Sequence, residues 1–270
     1  MMKKARVLFV SQEIMPYLPE TPMSKIGRYL PQGIQERKKE IRAFMPRFGV
    51  INERRNQLHE VIRLSGMNLI IDDTDHPLII KVASIQPARM QVYFIDNEDY
   101  FHRKFVFHDK KDVFFEDNDE RAVFFSRGVL ETVKKLGWAP DIVHCHGWMS
   151  SLVPLYVKKA FKDNPLFADT KVICSLYDDA FGEKLNENLP QKVKIEGVSD
   201  EDLKYYENAD YKSLMQSAIT YSDAIIIGSE NVDPDLLKQA HDSGKPILEY
   251  QGAEDYIDAF NSFYDNLIEN

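Results

Sequence analysis

Cysteine is scarce in this 270-residue chain, with Cys145 and Cys174 the only two. Two cysteines cannot build the disulfide framework of a small secreted domain. Both fall at the ends of short apolar runs, so they read as reduced core thiols in a cytoplasmic protein. Neither lies in the paired Cys/His spacing of a structural metal centre, and no metal is expected. Long hydrophobic runs are also missing. None approaches the about 20 apolar residues that a membrane helix needs, and no leader-like segment precedes the first apolar run, so no membrane partner is expected. There is no excess of positive charge either. Lys and Arg number 34 against 43 Asp and Glu, and a net charge of −9 argues against nucleic acid as a partner. The one basic cluster, Glu36-Arg37-Lys38-Lys39, has acidic neighbours and reads as a solvated helix face. No repeat or low-complexity tract interrupts the chain. What is present is a 44% hydrophobic content with charges mixed throughout, enough to bury a large globular core.

The apolar periodicity alternates between strand and helix. Val7–Ser11 predicts a first strand, and Ser24–Lys38 a helix with Ile26, Leu30 and Ile34 on one face. Pro31 either shortens that helix or marks its first turn. Ile41–Met45 predicts the next strand. Between residues 58 and 101 apolar and polar residues alternate, as in Ile79-Ile80-Lys81-Val82, which predicts antiparallel hairpins. Helices are expected over Ala122–Leu136, Ser150–Phe161 and Tyr211–Tyr221, and strands over Ile142–Cys145, Lys171–Leu176 and Ala224–Ile227. The acidic stretch 178–210 reads as a surface loop or short helices. This alternation predicts an α/β fold: a Rossmann-like, mostly parallel sheet with helices on both faces.

Asp141 to Tyr156 carries the most chemistry. A buried strand ends in His144, Cys145, His146, Gly147 and Trp148, and a new helical pattern starts at once. In open α/β sheets ligands bind outside the carboxyl ends of the strands, so His144, His146 and Trp148 can meet one there. The alternative is a hydrogen-bonded core histidine and a tryptophan filling the sheet–helix interface.

The segment resembles the starch/glycogen synthase family, which reads P-D-I-V-H-x-H-D-W-H-x-x-L-x-P at this point. The resemblance runs in order along residues 5 to 230. Val7–Pro16 resembles the family's first strand and its E-x-x-P, and Lys25-Ile26-Gly27-Arg28-Tyr29-Leu30 its K-x-G-G-L loop. Arg42–Gly49 is similar to V-x-x-x-M-P-x-Y-G. Tyr93–Asp96 with Tyr100–Arg103 is similar to Y-F-I-D…Y-F-x-R, and Asp117-Asn118 with Arg121 to D-N-x-x-R-F. Membership implies one half of a GT-B enzyme, in which two Rossmann-like domains face across a cleft. Such enzymes move glucose from ADP-glucose to an α-1,4-glucan with retention of configuration and without a metal. The amino-terminal half supplies the lysine–glycine loop, the histidine–tryptophan turn and the glucan-binding surface.

Departures from the family pattern bear on activity. Arg28 stands where the second loop glycine belongs, and would either occlude the donor or replace a phosphate contact. Gly147 replaces the family aspartate, Met149 the histidine after the tryptophan, and Ser175-Leu176-Tyr177-Asp178 the family's T-x-H-N. Retained counterparts are Glu13, Lys25, Asp117, His146 and Lys212. His146 and Asp117 are thus the family-matching cleft positions, with no catalytic residue assigned. Lys25, Gly27 and Arg28 at the donor-loop position, with Glu13, Trp148 and Lys212, are the candidate donor-binding residues. The stretch after Ser229 is too short for a nucleotide-binding domain. The expected division is therefore a synthase-like domain over 1–230 and an extension over 231–270. Within the extension, Lys245–Tyr250 predicts a strand and Ala253–Ile268 an amphipathic helix, either a closing helix like that of GT-B enzymes or an ordinary terminal helix. The resemblance implies the acceptor-side half of a glucosyltransferase, inactive alone and working as a subunit. The alternative is a non-catalytic regulator that binds a glucan, a sugar phosphate or a synthase. No cofactor is expected beyond ADP-glucose as donor substrate. The partners expected are an α-glucan or sugar nucleotide, and a second copy or another chain that supplies a donor domain.

Overall fold

A computed structural model describes residues 4–252 and 256–269. Strand β1 (Arg6–Ser11) leads through helix α1 (Pro22–Glu36) to β2 (Glu40–Pro46). Four more strands follow: β3 (His59–Glu60), β4 (Met67–Ile71), β5 (Thr74–Ile85) and β6 (Met90–Asp96). The short α2 (Glu98–Phe101) and the long α3 (Asn118–Leu136) bring the chain to β7 (Ile142–His146). Next come α4 (Val153–Lys158), β8 (Lys171–Leu176), α5 (Leu189–Val193), α6 (Asp200–Leu203), α7 (Tyr211–Tyr221) and β9 (Ala224–Ile227). The tail holds α8 (Pro234–Asp242), β10 (Ile247–Leu248) and α9 (Tyr256–Glu269).

The strands form one sheet in the order β10-β9-β8-β7-β1-β2-β6-β5-β3, with β4 paired to β5. From β10 to β6 every neighbouring pair is parallel, and β5 pairs antiparallel with β6, β4 and β3. This is the Rossmann-like α/β sheet that the alternation predicts, extended at one edge by the hairpins. The central strands are buried on both faces, which is why β1, β8 and β9 read as largely apolar runs. Strand order reverses at β1: the chain steps one way to β2 and later the other way from β7. The switch point falls between the carboxyl ends of β1 and β7, the place in open α/β sheets where ligands bind.

Right-handed crossovers explain where the helices lie. The connections through α3, α4, α7 and α8 share one face, where α3 meets α4 and α7 meets both α4 and α8. The connection from β1 to β2 leaves α1 on the opposite face, and no crossover covers that face of β7 and β8. Helix α9 fills the gap. Its Ile257 side chain packs where a Cβ on Gly33 of α1 would lie, 2.5 Å away, and its Tyr264 reaches His144 of β7. Residues 253–255, where the sequence places the start of this helix, lie outside the described residues.

Three elements differ locally from the sequence reading. Pro22, rather than Pro31, marks the first turn of α1, and Thr21 caps it by accepting from the Ser24 backbone N–H at 2.9 Å. Pro31 lies inside the helix without ending it. The helix expected from Ser150 is shorter, because a 3₁₀ turn over Trp148–Ser150 precedes it and Pro154 sits in its first turn. The tail strand shrinks to Ile247–Leu248, paired with β9 alone.

Candidate functional site

Strands β1 and β7 run in register, so that Ser11 lies beside His146 and the Gln12 N–H donates to the His146 carbonyl at 3.1 Å. Side chains two residues apart share a face of a strand, which sets His144 and His146 ring to ring with centroids 3.8 Å apart. Both rings are essentially fully buried. His144 Nδ1 lies 2.7 Å from the Tyr264 hydroxyl, and its Nε2 lies 2.7 Å from Ser175 Oγ. His146 Nδ1 lies 2.7 Å from the Tyr177 hydroxyl, while its Nε2 is buried with no hydrogen-bond partner among the described residues. Burial holds both imidazoles neutral. It pushes His146 down to about 3, and burial together with neighbouring His146 pushes His144 well below the ordinary range.

The turn after β7 explains the missing aspartate. Gly147 adopts φ +83°, and a Cβ there would lie 2.7 Å from Gln12 Oε1 and 2.9 Å from Met23 Sδ. Gln12 and Met23 thus occupy the space toward which an aspartate would project. Gln12 Oε1 also accepts the Met149 N–H at 3.2 Å. The Trp148 backbone N–H donates to Asp179 at 3.0 Å, and the Tyr211 hydroxyl donates to the other oxygen of that carboxylate at 2.6 Å. Burial pushes the Asp179 carboxyl up to about 6, against the pull of those hydrogen bonds. The Trp148 indole packs between Phe107 and Phe181, each 4.9 Å away between ring centroids.

A cavity of about 410 Å³ opens over the carboxyl ends of β8 and β9. Glu20 and Thr21 ahead of α1 and Lys25 and Tyr29 within it wall one side, the strand ends add Tyr177 and Gly228, and the tail Tyr250, Gln251, Tyr256 and Phe260. Gly228 is required here, since a Cβ would lie 2.8 Å from the Tyr177 ring. Lys25 reaches the cavity and pairs with Glu20 at 2.5 Å. His146 stands behind its wall, linked through Tyr177.

The other candidate residues are spread over the structure. Glu13 accepts the Thr21 hydroxyl at 2.5 Å and so ties the end of β1 to the cap of α1. Gly27 lies within α1, where a Cβ would fall 2.5 Å from the Glu13 carbonyl oxygen, so this glycine serves helix–strand packing. Arg28 is buried with its guanidinium donating to Gln32 at 2.6 Å and lies over the Tyr29 ring. Asp117 precedes α3 and accepts two hydrogen bonds from Arg103, at 2.9 and 2.6 Å. Lys212 on α7 pairs with Asp235 at 2.5 Å and Asp233 at 3.4 Å. Gly27, Arg28, Asp117, Trp148 and Lys212 do not line the cavity. Sequence reasoning passed over Gln12, Tyr29, Asp179, Tyr250 and Tyr256. For Asp179 the acidic run after β8 is a signal; the tyrosines come together at the cavity only through proximity in space. Among the described residues no group of three or more His, Cys, Asp or Glu is placed to hold a metal, and no helix is long and apolar enough to cross a membrane.

Residues 6–248 match the family model described as the starch synthase catalytic domain. A glycogen synthase of Chlorobium limicola is 32% identical over 241 residues, covering 88% of this chain and 48% of that protein. A glycogen synthase of Pelodictyon phaeoclathratiforme is 31% identical over 275 residues, covering 97% of this chain and 55% of that protein. The chain thus spans about half the length of these relatives. Among solved structures, the catalytic domain of starch synthase IV from Arabidopsis thaliana, bound to ADP and acarbose, superposes with a TM-score of 0.71. That match covers 93% of this chain and 52% of the other at 15% identity, a likeness of fold.

Proposed function

The chain belongs to the starch synthase catalytic-domain family, and on that premise we propose that these residues form the acceptor-side half of an ADP-glucose:α-1,4-glucan glucosyltransferase. In this reading the half binds glucan, works in α-glucan metabolism as a subunit, and does not transfer glucose by itself. The family match over residues 6–248 carries the reading. The pairing of the candidate donor-binding cations supports the second part. Departure of a nucleoside diphosphate needs preorganised cations or donors aimed at its developing charge. Lys25 and Lys212 are each engaged by carboxylates and Arg28 by Gln32 and the Tyr29 ring, so in this reading further positive charge for the diphosphate comes from outside these residues. The second reading, a non-catalytic regulator, draws support from Gly147 and Tyr177, which stand where the family pattern has an aspartate and a histidine.

Titration calorimetry of the purified chain with maltoheptaose and, separately, ADP-glucose tests the proposal. Glucan binding without nucleotide binding is expected. Glucose transfer from ADP-glucose by the chain alone would overturn the subunit reading, and failure to bind any glucan would overturn the acceptor assignment.

A further inference from the structure

Positive charge gathers in two segments of this acidic chain. Residues 47–63 and 102–112 carry eight Arg and Lys against four Asp and Glu, whereas the whole chain has 34 against 43. The fold brings the first parts of both segments together beyond the carboxyl ends of β2 and β6. A Cβ on Gly49 would lie 2.1 Å from the Arg103 carbonyl oxygen, and the Phe48 and Phe107 rings stand 5.5 Å apart. An open groove of about 650 Å³ runs between the 47–53 loop and Lys104. In sheet order, β7 and β1 separate it from the aromatic cavity over β8 and β9. The less exposed charges here balance one another. Glu53 accepts from Arg47 and Lys81, and Lys81 also pairs with fully buried Asp96 at 2.9 Å. Arg54, Arg55 and Lys104 are different: each is exposed and has no carboxylate partner among the described residues. Val50 in the groove wall is 42% exposed, and Phe105, next to Lys104 in the chain, 40%.

We propose that this groove docks a short acidic segment of a partner protein, with carboxylates on Arg54, Arg55 and Lys104 and an apolar side chain on Val50 and Phe105. The build of the groove decides between anions. A lone phosphate favours donors converging in an enclosed pocket, whereas these cations flank an open groove with apolar side chains among them. A long polyanion such as nucleic acid would reach over the acidic remainder of the surface and be repelled. A short peptide that alternates carboxylates with apolar residues meets both kinds of group and reaches no further. Charge complementarity of this sort sets approach and register more than affinity, so the contact is weak and sensitive to salt. It is independent of glucan binding, since a neutral saccharide has no use for unpaired cations.

The test uses the full chain and a short labelled peptide that alternates glutamate with leucine, followed by fluorescence anisotropy. A glutamate-only peptide, inorganic tripolyphosphate and maltoheptaose serve as comparators. The alternating peptide should bind in low salt and be released as ionic strength rises from about 0.05 to 0.3 M. Lys104→Ala, and Arg54→Ala combined with Arg55→Ala, should each weaken it about threefold, and Lys104→Glu about tenfold, at unchanged melting temperature. Val50→Ser should weaken the alternating peptide and leave the glutamate-only peptide unaffected. No peptide binding by the natural chain, or equal binding by all the charge variants, would overturn the proposal. Tighter binding of tripolyphosphate than of the alternating peptide would make this a small-anion site instead and overturn it too. Maltoheptaose affinity should not move in these variants, and a parallel loss would place the groove in a glucan site. If the chain binds peptide but no glucan, the acceptor assignment falls and this one stands.

Discussion

At the scale of single residues, the paired imidazoles of His144 and His146 make the fold less stable in acid. An unfolded histidine takes up a proton near pH 6.5, whereas folded His146 does so only near about 3, and His144 is displaced in the same direction. Between those values the unfolded chain binds more protons, so the stabilisation is complete above pH 6.5 and is lost as pH falls below it. Asp179 acts with the opposite sign. Its folded value is raised from 3.8 to about 6, so its contribution is present below pH 3.8 and is lost as pH rises through 6. Two imidazoles outweigh one partly exposed carboxyl. Thermal melts followed by circular dichroism should therefore show Tm falling from pH 7 to pH 4.5. His146→Gln should flatten that slope and Asp179→Asn should steepen it; parallel slopes in all three proteins would refute the assignment. Glycine positions give a second check. Gly147→Asp, which restores the family residue, forces a side chain onto a φ of +83° and into Gln12 and Met23, and should cost about 2 kcal/mol in urea unfolding.

At the scale of elements, α9 covers a face of β7 and β8 that no crossover helix reaches. Tyr264→Phe removes the hydroxyl from His144 Nδ1 and leaves a buried nitrogen without a partner. The expected loss is about 1–3 kcal/mol, read from the urea midpoint at unchanged m-value. Ending the chain at Gly252 strips this cover altogether and exposes the histidine pair and the Gly33 groove of α1. The product should be aggregated or molten, and a sharp melt with dispersed amide signals would refute the covering role. Helix α3 is anchored differently. Lys192 of α5 pairs with Asp119 and Glu120 of α3, both at 2.8 Å, and Asp119 is fully buried. Lys192→Met would leave that carboxylate without its cation, at a cost of about 3–5 kcal/mol.

At the scale of the whole molecule, the sheet gives a rigid platform whose carboxyl edge offers two different surfaces. At the β1–β7 switch point the family motif is present but closed by Gln12, Met23 and Tyr177. Over β8 and β9 the accessible cavity is aromatic and nearly neutral. The net charge of −9 makes a weak response to polyanions the expected overall behaviour, and the proposed glucan-binding reading adds that a neutral glucan is the stronger ligand. Raising ionic strength should then leave maltoheptaose affinity nearly unchanged, whereas a marked loss in salt would point to a charged recognition mode.

The sequence alone determined the alternation of strands and helices, because apolar periodicity is local and the buried parallel strands are long enough to display it. It also revealed the family, since His144, His146 and Trp148 recur in order with Lys25 and Asp117. The expected helix over 150–161 came out shorter because a proline and a 3₁₀ turn, both local, outweighed its apolar pattern. Three things only the tertiary structure decided. Asp117 turns to Arg103 and Lys212 to Asp235. Gln12 and Met23 take the place that Gly147 leaves open. Tyr29 and Tyr250, more than two hundred residues apart in the chain, wall one cavity. A residue's tendency to form a strand or helix is written in its neighbours along the chain. The charge, access and shape of a site are set by whichever distant side chains the fold packs beside it, and no local pattern carries that information.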